Sequence, residues 1–214
     1  MEKTLRISEI FYSLQGESNT VGLPTVFIRL TGCPLRCVYC DTAYAFSGGR
    51  LQSLEEILLA VRFWDCRFVT VTGGEPLAQP VCFDLLKALA DVGYVVSLET
   101  SGALDVSGVD RRVIKVMDLK TPSSGEMTKN RYENITSLSS KDQIKFVIAN
   151  AEDYDWCKEI IAEYQLAQRC QLLFSPVAGI QHPTELADKI LADKLPVRFQ
   201  IQLHKLLWND IRGK

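Results

Sequence analysis

Hydrophobic positions recur along the chain with two periods. Leu5 and Ile7 alternate with polar residues, Phe11 follows after a shift of phase, and positions 4–12 read as an opening strand. Thr25-Val-Phe-Ile-Arg-Leu-Thr31, after Pro24, is a β-branched and aromatic run that predicts a second strand, interrupted only by Arg29. Ser53-Leu-Glu-Glu56 is a capping box that opens a helix running to about Arg62. Further strands are expected over 67–72, 94–99, 113–118, 143–149, 171–175 and 197–203, and helices over 81–92, 152–165 and 184–192. A weaker helical pattern covers 127–138, where Asn134 and Ile135-Thr136 lower the propensity. No helix is evident before the strand at 113–118. Leu14-Gln-Gly-Glu17 reads as a surface turn with Gly16 in the left-handed region, and Ser47-Gly-Gly-Arg50 as a loop.

A βα series with short connections argues for an α/β fold, a parallel sheet covered by helices, either open or curled into an incomplete barrel. Ligands of such folds gather at the carboxyl ends of the strands. Six segments fall there: Cys33, Gly73-Gly-Glu-Pro76, Thr100-Ser-Gly102, Lys120-Thr-Pro122, Ser175-Pro176 and His204. They are expected around one mouth.

Composition narrows the partners. With 214 residues, 47% of them hydrophobic, the chain suits a single domain over 1–214. A net charge of −2 and the lack of a basic block argue against nucleic acid and for a small-molecule substrate. No run approaches the roughly 18 consecutive apolar residues of a membrane span, and the first residues lack an apolar signal core, so a cytoplasmic protein without a membrane partner is expected.

The chemistry concentrates in Cys33-Pro-Leu-Arg-Cys37-Val-Tyr-Cys40-Asp-Thr42. Three thiolates on one short loop can each take an iron of a 4Fe-4S cluster, leaving the fourth iron free for a cofactor or substrate. A structural zinc site would need a fourth ligand, and neither a second cysteine pair nor a nearby histidine exists; His182 and His204 are far along the chain. Cys66, Cys82, Cys157 and Cys170 are scattered and read as free thiols.

The cysteine loop, with Tyr39 before its last cysteine, resembles that of the radical S-adenosylmethionine (SAM) superfamily. Phe11-Tyr-Ser-Leu-Gln-Gly-Glu17, Phe27-Ile-Arg-Leu-Thr-Gly-Cys33, Cys40-Asp-Thr42, Thr72-Gly-Gly-Glu-Pro76, Glu99-Thr-Ser-Gly102 and Gln202-Leu-His-Lys205 together resemble the 7-carboxy-7-deazaguanine synthases. The blocks run in order through the whole chain. The resemblance implies the partial β/α barrel of the radical SAM type and a carbon-nitrogen lyase that converts 6-carboxy-5,6,7,8-tetrahydropterin to 7-carboxy-7-deazaguanine in queuosine and related 7-deazapurine biosynthesis. It also implies a homodimer, an external electron donor such as a flavodoxin, and a 4Fe-4S cluster, SAM and Mg2+ as cofactors.

By the same resemblance Cys33, Cys37 and Cys40 hold the cluster. Tyr39, Cys40, Asp41, Gly74, Glu75, Ser101, Asp118, Leu119, Lys120 and Ser175 contact SAM. Leu14, Gln15, Gly16, Glu17, Arg29, Thr72 and His204 contact the substrate, and Thr42 binds magnesium. The residues suit these parts: paired glycines let backbone approach a ligand, Glu75 can accept from an ammonium, and the planar fork of Arg29 suits a carboxylate. Ser18 stands where many relatives have a second glycine. A radical SAM activating enzyme for a glycyl-radical protein shares the cysteine spacing and is the alternative function.

Overall fold

The phase shift in the first strand turns the chain inward. In the computed structural model, which describes residues 3–209 and 211–214, β1 (Thr4–Leu14) pairs antiparallel with β2 (Pro24–Leu30), and the register slips between Ile7 and Glu9. Before the slip Leu5 and Ile7 join the core that the helices cover; after it Phe11 faces the opposite, concave side with Phe27 and Arg29 of β2. A bulge reverses which residues of a strand point inward.

After β3 (Arg50–Ser53), which pairs with the start of β1, the chain winds as a βα series. It runs through α1 (Leu54–Arg62), β4 (Phe68–Gly73), α2 (Cys82–Val92), β5 (Val95–Thr100), β6 (Ile114–Asp118), β7 (Gln143–Ile148), α3 (Ala151–Glu163), β8 (Gln171–Pro176), α4 (Pro183–Ala192), β9 (Arg198–Phe199) and α5 (Leu203–Trp208). The sheet order is β3-β1-β2-β4-β5-β6-β7-β8-β9, parallel from β2 to β9. β3 and β9 are its two edges, so the sheet curls without closing, as the incomplete barrel requires.

The four helices α1 to α4 lie on one face of the sheet. α1 and α2 cover β1, β2, β4 and β5 through Ile57, Val61, Leu85, Leu86 and Leu89, all fully buried. α3 and α4 cover β6–β8 through Tyr154, Cys157, Ile160, Leu186 and Ile190. The expected capping box of α1 forms: the Glu56 amide donates to Ser53 Oγ and the Ser53 amide to Glu56 Oε2.

Four expectations are corrected. Positions 127–138 form short 3-10 turns, Met127–Lys129 and Tyr132–Ser137, rather than a helix. Asn134 donates there to the Gly102 and Leu104 carbonyls and accepts from the Val106 amide, while Asn130 bonds both the amide and carbonyl of Lys120, so these amides tie neighbouring loops together. The loop expected around Arg50 passes into β3 at that residue. The last strand shrinks to two residues, and His204 lies in α5 rather than at a strand end. Gly16 does not adopt a positive φ; Ser18 does, at 67°.

Candidate active site

The concave face of the sheet is polar. Thr70 and Thr72 of β4, Ser97 and Glu99 of β5, Asp118 of β6, Gln143 and Lys145 of β7 and Ser175 of β8 alternate with the apolar residues that face the helices. Of these, Thr72, Glu99, Asp118, Lys145 and Ser175 line a cavity of about 720 Å³. All three cluster-loop cysteines line it, together with fifteen of the other seventeen positions assigned from the resemblance; Glu75 and Leu119 do not.

Its floor is the turn after β1. Because β1 runs against its neighbours, Gln15 to Asn19 enter the lumen from the amino ends of the parallel strands. Gln15 Nε2 donates to Thr70 Oγ1 at 3.1 Å, the Ser18 amide to Gln200 Oε1 at 2.9 Å and the Asn19 amide to Gln143 Oε1 at 2.8 Å. Gln15 is 2% exposed, so this segment is a plug rather than a surface turn.

Its rim carries the cysteines. Gly32, at φ 98°, turns the chain out of β2 into the cluster loop, a conformation that favours glycine. The Arg36 amide donates to Glu126 Oε1 at 2.7 Å, the Val38 amide to the Ser124 carbonyl at 3.0 Å, and the Tyr39 hydroxyl lies 3.0 Å from Thr121 Oγ1. These bonds anchor the loop to the segment after β6. Cys33, Cys37 and Cys40 are all free and half-buried. Burial pushes the Cys33 and Cys37 thiols up, and a neighbouring Lys120 ammonium pulls them down. Among the described residues no group of three His, Cys, Asp or Glu side chains converges on a single metal position. An iron-sulfur cluster does not ask for that, since each thiolate ligates a different iron. Three free thiols on one pinned loop at the rim of a polar cavity therefore fit such a cluster.

Close backbone approach at the rim depends on Gly74. A Cβ there would clash with the Gly32 carbonyl oxygen and lie 2.8 Å from Cys33 Cβ, while the next amide, Glu75 N, donates to that same oxygen at 2.8 Å. Glu75 itself faces away from the cavity and is fully buried. Its Oε1 accepts from the Leu77 amide and the Thr100 hydroxyl, both at 2.9 Å, and its Oε2 from the Ser101 amide at 2.6 Å and the Ser101 hydroxyl at 2.5 Å. The side chain is thus occupied by protein donors from Leu77, Thr100 and Ser101. Leu119 is likewise fully buried in the helix-side core.

Charge is dense inside the cavity. Lys145 Nζ donates to Glu17 Oε2 at 2.7 Å and lies 3.7 Å from Asp118 Oδ2, which is 3.0 Å from Lys120 Nζ. Burial lowers both lysines' pKa, but the surrounding carboxylates outweigh it and hold them above the usual range. Glu99 accepts from the Thr72 hydroxyl at 3.0 Å; burial, with Glu17 nearby, pushes its carboxyl up. Asp118 Oδ1 is buried with no protein partner, an acceptor left for a ligand. Arg29 donates to Glu9 at 2.8 Å and lies 5.8 Å from the centres of both the Phe11 and Tyr44 rings, beside the stacked Phe11–Phe27 pair.

The segment after β9 crosses the open side of the sheet. The Leu203 amide donates to the Gly16 carbonyl at 3.0 Å, Gln202 Nε2 to Asp41 Oδ2 at 2.9 Å, and Arg212 Nε to Glu9 Oε2 at 2.9 Å. Burial alone would raise Asp41, but Gln202, Lys205 and Thr42 together hold its carboxyl well below the usual range. His204 packs on Gly16, where any Cβ would meet its ring, so the histidine reaches the cavity although it is not on a strand. Lys145, Glu99, Glu9 and Tyr44 carry no role in the sequence reading. The signal for Lys145 was available: Gln143, Lys145 and Val147 alternate with Ile144, Phe146 and Ile148, which places a charge on the concave face.

Residues 27–120 match the Radical SAM superfamily. The chain is 48% identical to a 7-carboxy-7-deazaguanine synthase of Chlorobaculum tepidum, over 99% of this chain and 98% of that protein. It is 38% identical to one from Koribacter versatilis over 95% of this chain and 97% of that protein. Among solved structures, QueE from Escherichia coli matches with a TM-score of 0.79 at 23% identity over 94% of this chain and 95% of that one. Streptococcus suis SuiB, at a TM-score of 0.53 and 15% identity, shares the fold over 80% of this chain and 47% of its own. With near-complete coverage at such identities, the chain belongs to the 7-carboxy-7-deazaguanine synthase family of the radical SAM superfamily.

Proposed function

We propose that this chain converts 6-carboxy-5,6,7,8-tetrahydropterin to 7-carboxy-7-deazaguanine with loss of ammonia, as a carbon-nitrogen lyase of 7-deazapurine biosynthesis. The observation that carries the reading is the cavity, in which a three-thiol rim, a polar lumen and a stacked aromatic wall meet. The glycyl-radical activase is not favoured, since the near-full-length relatives named above are small-molecule synthases.

A 4Fe-4S cluster with SAM, when bound, supplies a carbon radical that can remove hydrogen from the substrate. The chain's own residues hold and orient. Cys33, Cys37 and Cys40 provide the three thiolates. Gly74 opens the backbone beside them, and Asp118 Oδ1, with Ser101, Lys120 and Ser175 around the same mouth, offers acceptors and donors for a polar cofactor. The pterin ring suits the wall made by Phe11 and Phe27, its donor edge suits Gln15, Thr72 and Glu99, and its carboxylate suits Arg29. The Thr42 hydroxyl donates to Asp41 Oδ1 at 2.9 Å, so its oxygen keeps lone pairs for a hard cation. Magnesium would complete its shell with water and substrate oxygens.

The test is an anaerobic assay with reductant, SAM, magnesium and the carboxytetrahydropterin, read by mass. Formation of the deazaguanine acid is expected in wild-type protein, with the magnesium stimulation lost in Thr42→Val. SAM cleavage without that product would overturn the substrate assignment.

A further inference from the structure

One ammonium is shared between two segments that the proposed function gives to different ligands. Lys145 lies within β7 on the concave face, its side chain 14% exposed. Its Nζ holds Glu17 Oε2 at 2.7 Å and lies 3.7 Å from Asp118 Oδ2. Glu17 belongs to the plug that floors the cavity, next to Gln15 and Gly16 on the substrate side. Asp118 ends β6 on the cofactor side, where its other oxygen, Oδ1, is buried and lacks a protein donor.

We propose that Lys145 is a positioning residue that couples substrate and SAM binding, by holding the plug through Glu17 and the cofactor edge through Asp118 at once. The inference rests on the proposed assignment of Glu17 to the substrate and Asp118 to SAM. In the free site the ammonium is divided between the two carboxylates, with Glu99 also within electrostatic reach. A ligand donor taken up by Asp118 Oδ1 satisfies that carboxylate and leaves the ammonium to Glu17, which fixes the plug in the position the substrate needs. Lys120, 3.0 Å from Asp118 Oδ2, serves only the cofactor side and cannot replace the bridge. Linkage makes the effect reciprocal: whatever factor SAM adds to substrate affinity, substrate adds to SAM affinity.

The test uses anaerobically reconstituted enzyme without reductant, so that nothing turns over. Equilibrium dialysis gives the carboxytetrahydropterin Kd with and without saturating SAM. Wild type is expected to bind the pterin about fivefold or more tightly with SAM present, at the lower bound of ordinary coupling energies. Lys145→Met should bring that ratio to about one, whereas Lys145→Arg, whose fork can span two carboxylates, should restore part of it. Should Lys145→Met prove unstable because it leaves Glu17 without its ion-pair partner, Lys145→Met with Glu17→Gln removes that charge and should also show no coupling. A wild-type ratio of about one, or an undiminished ratio in either Lys145→Met protein, would overturn the coupling while leaving the substrate reading intact. Failure of wild type to bind the pterin under any condition would overturn the substrate reading and the coupling with it.

Discussion

Replacing Glu75 by glutamine separates a structural carboxylate from a ligand-binding one. The change keeps the side chain's shape inside a site with no exposure, where four protein donors converge on two oxygens. The amide is best accommodated with its nitrogen at the Oε1 position, because the Thr100 hydroxyl can turn to accept from it. The Leu77 amide is then left facing a donor, an orphaned buried group that costs about 1–3 kcal/mol. The two bonds from Ser101 lose their charge assistance, at about 1 kcal/mol each. The sum is about 3–5 kcal/mol, and at about 2–4 °C per kcal/mol for a chain of this size, Tm should fall by about 6 °C or more. Scanning calorimetry on the reconstituted protein measures it, with SAM affinity measured alongside at a temperature where both proteins are folded. A Tm within about 2 °C of wild type together with a tenfold weaker SAM affinity would refute the reasoning, because it would mean that the carboxylate serves the cofactor rather than the ends of β4 and β5.

Replacing Cys33, Cys37 or Cys40 by alanine should abolish iron incorporation and 5′-deoxyadenosine formation together, whereas Cys66→Ala and Cys157→Ala should keep full iron by colorimetric assay; iron loss in either of the latter would mean a fourth cysteine ligand. Ser18→Gly should be more stable than Ser18→Ala by about 1 kcal/mol in urea unfolding, since position 18 sits at φ 67° and both changes remove the hydroxyl bond to Thr20; the reverse order would show that the left-handed turn is not costly. Burial holds His204 below its ordinary value of 6.5, although Glu17 and Asp41 pull upward, so its ring is neutral at pH 7. Whatever the neutral ring contributes is whole above that value and is lost as acidification passes through the lower folded pKa. Pterin affinity of the wild type should therefore hold down to about pH 6.5 and fall below it, and the fall should be absent in His204→Phe; the same acid limb in both proteins would place the titration elsewhere.

The strand and helix series was legible because period-2 and period-3.6 patterns report burial on the helix-covered face, and Leu5, Ile7, Val26 and Ile28 obey them without exception. The cysteine loop was legible because covalent ligation imposes spacing within a few residues. What the pattern could not show was long-range polar pairing. Asn134 looked like a poor helix former, and only the approach of the 102–106 loop reveals its three backbone bonds. The Gln15 plug looked like a surface turn because its partners, Thr70, Gln143 and Gln200, lie between 55 and 182 residues away from the groups they bond. His204 was placed on the correct side by position, but the break from β9 into α5 carries no strong cap, and Gln202 makes no side-chain capping bond. Lys145 and Glu99 are charges on strands, a pattern that reads equally as solvated edge or polar lumen until the sheet curls.

The connections from β5 to β6 and from β6 to β7 contain no α-helix, and this divides the apolar interior. The residues packed under α1 and α2 end with β5 and the turn before β6, while those under α3 and α4 begin with Met117 of β6 and Leu119 just after it. Between the two clusters β5 and β6 are joined by backbone hydrogen bonds, and polar bonds such as those of Asn134, Tyr39 and Lys145 cross the same boundary, so the two apolar units meet through polar contacts and can open separately. The cavity straddles that seam: its cysteines, Gly74 and Ser101 belong to one unit, and Asp118, Lys120, Lys145 and Ser175 to the other. Ligands held across it would act as a clasp, making amide exchange in the β6–β8 half depend on occupancy at a rim that the other half supplies.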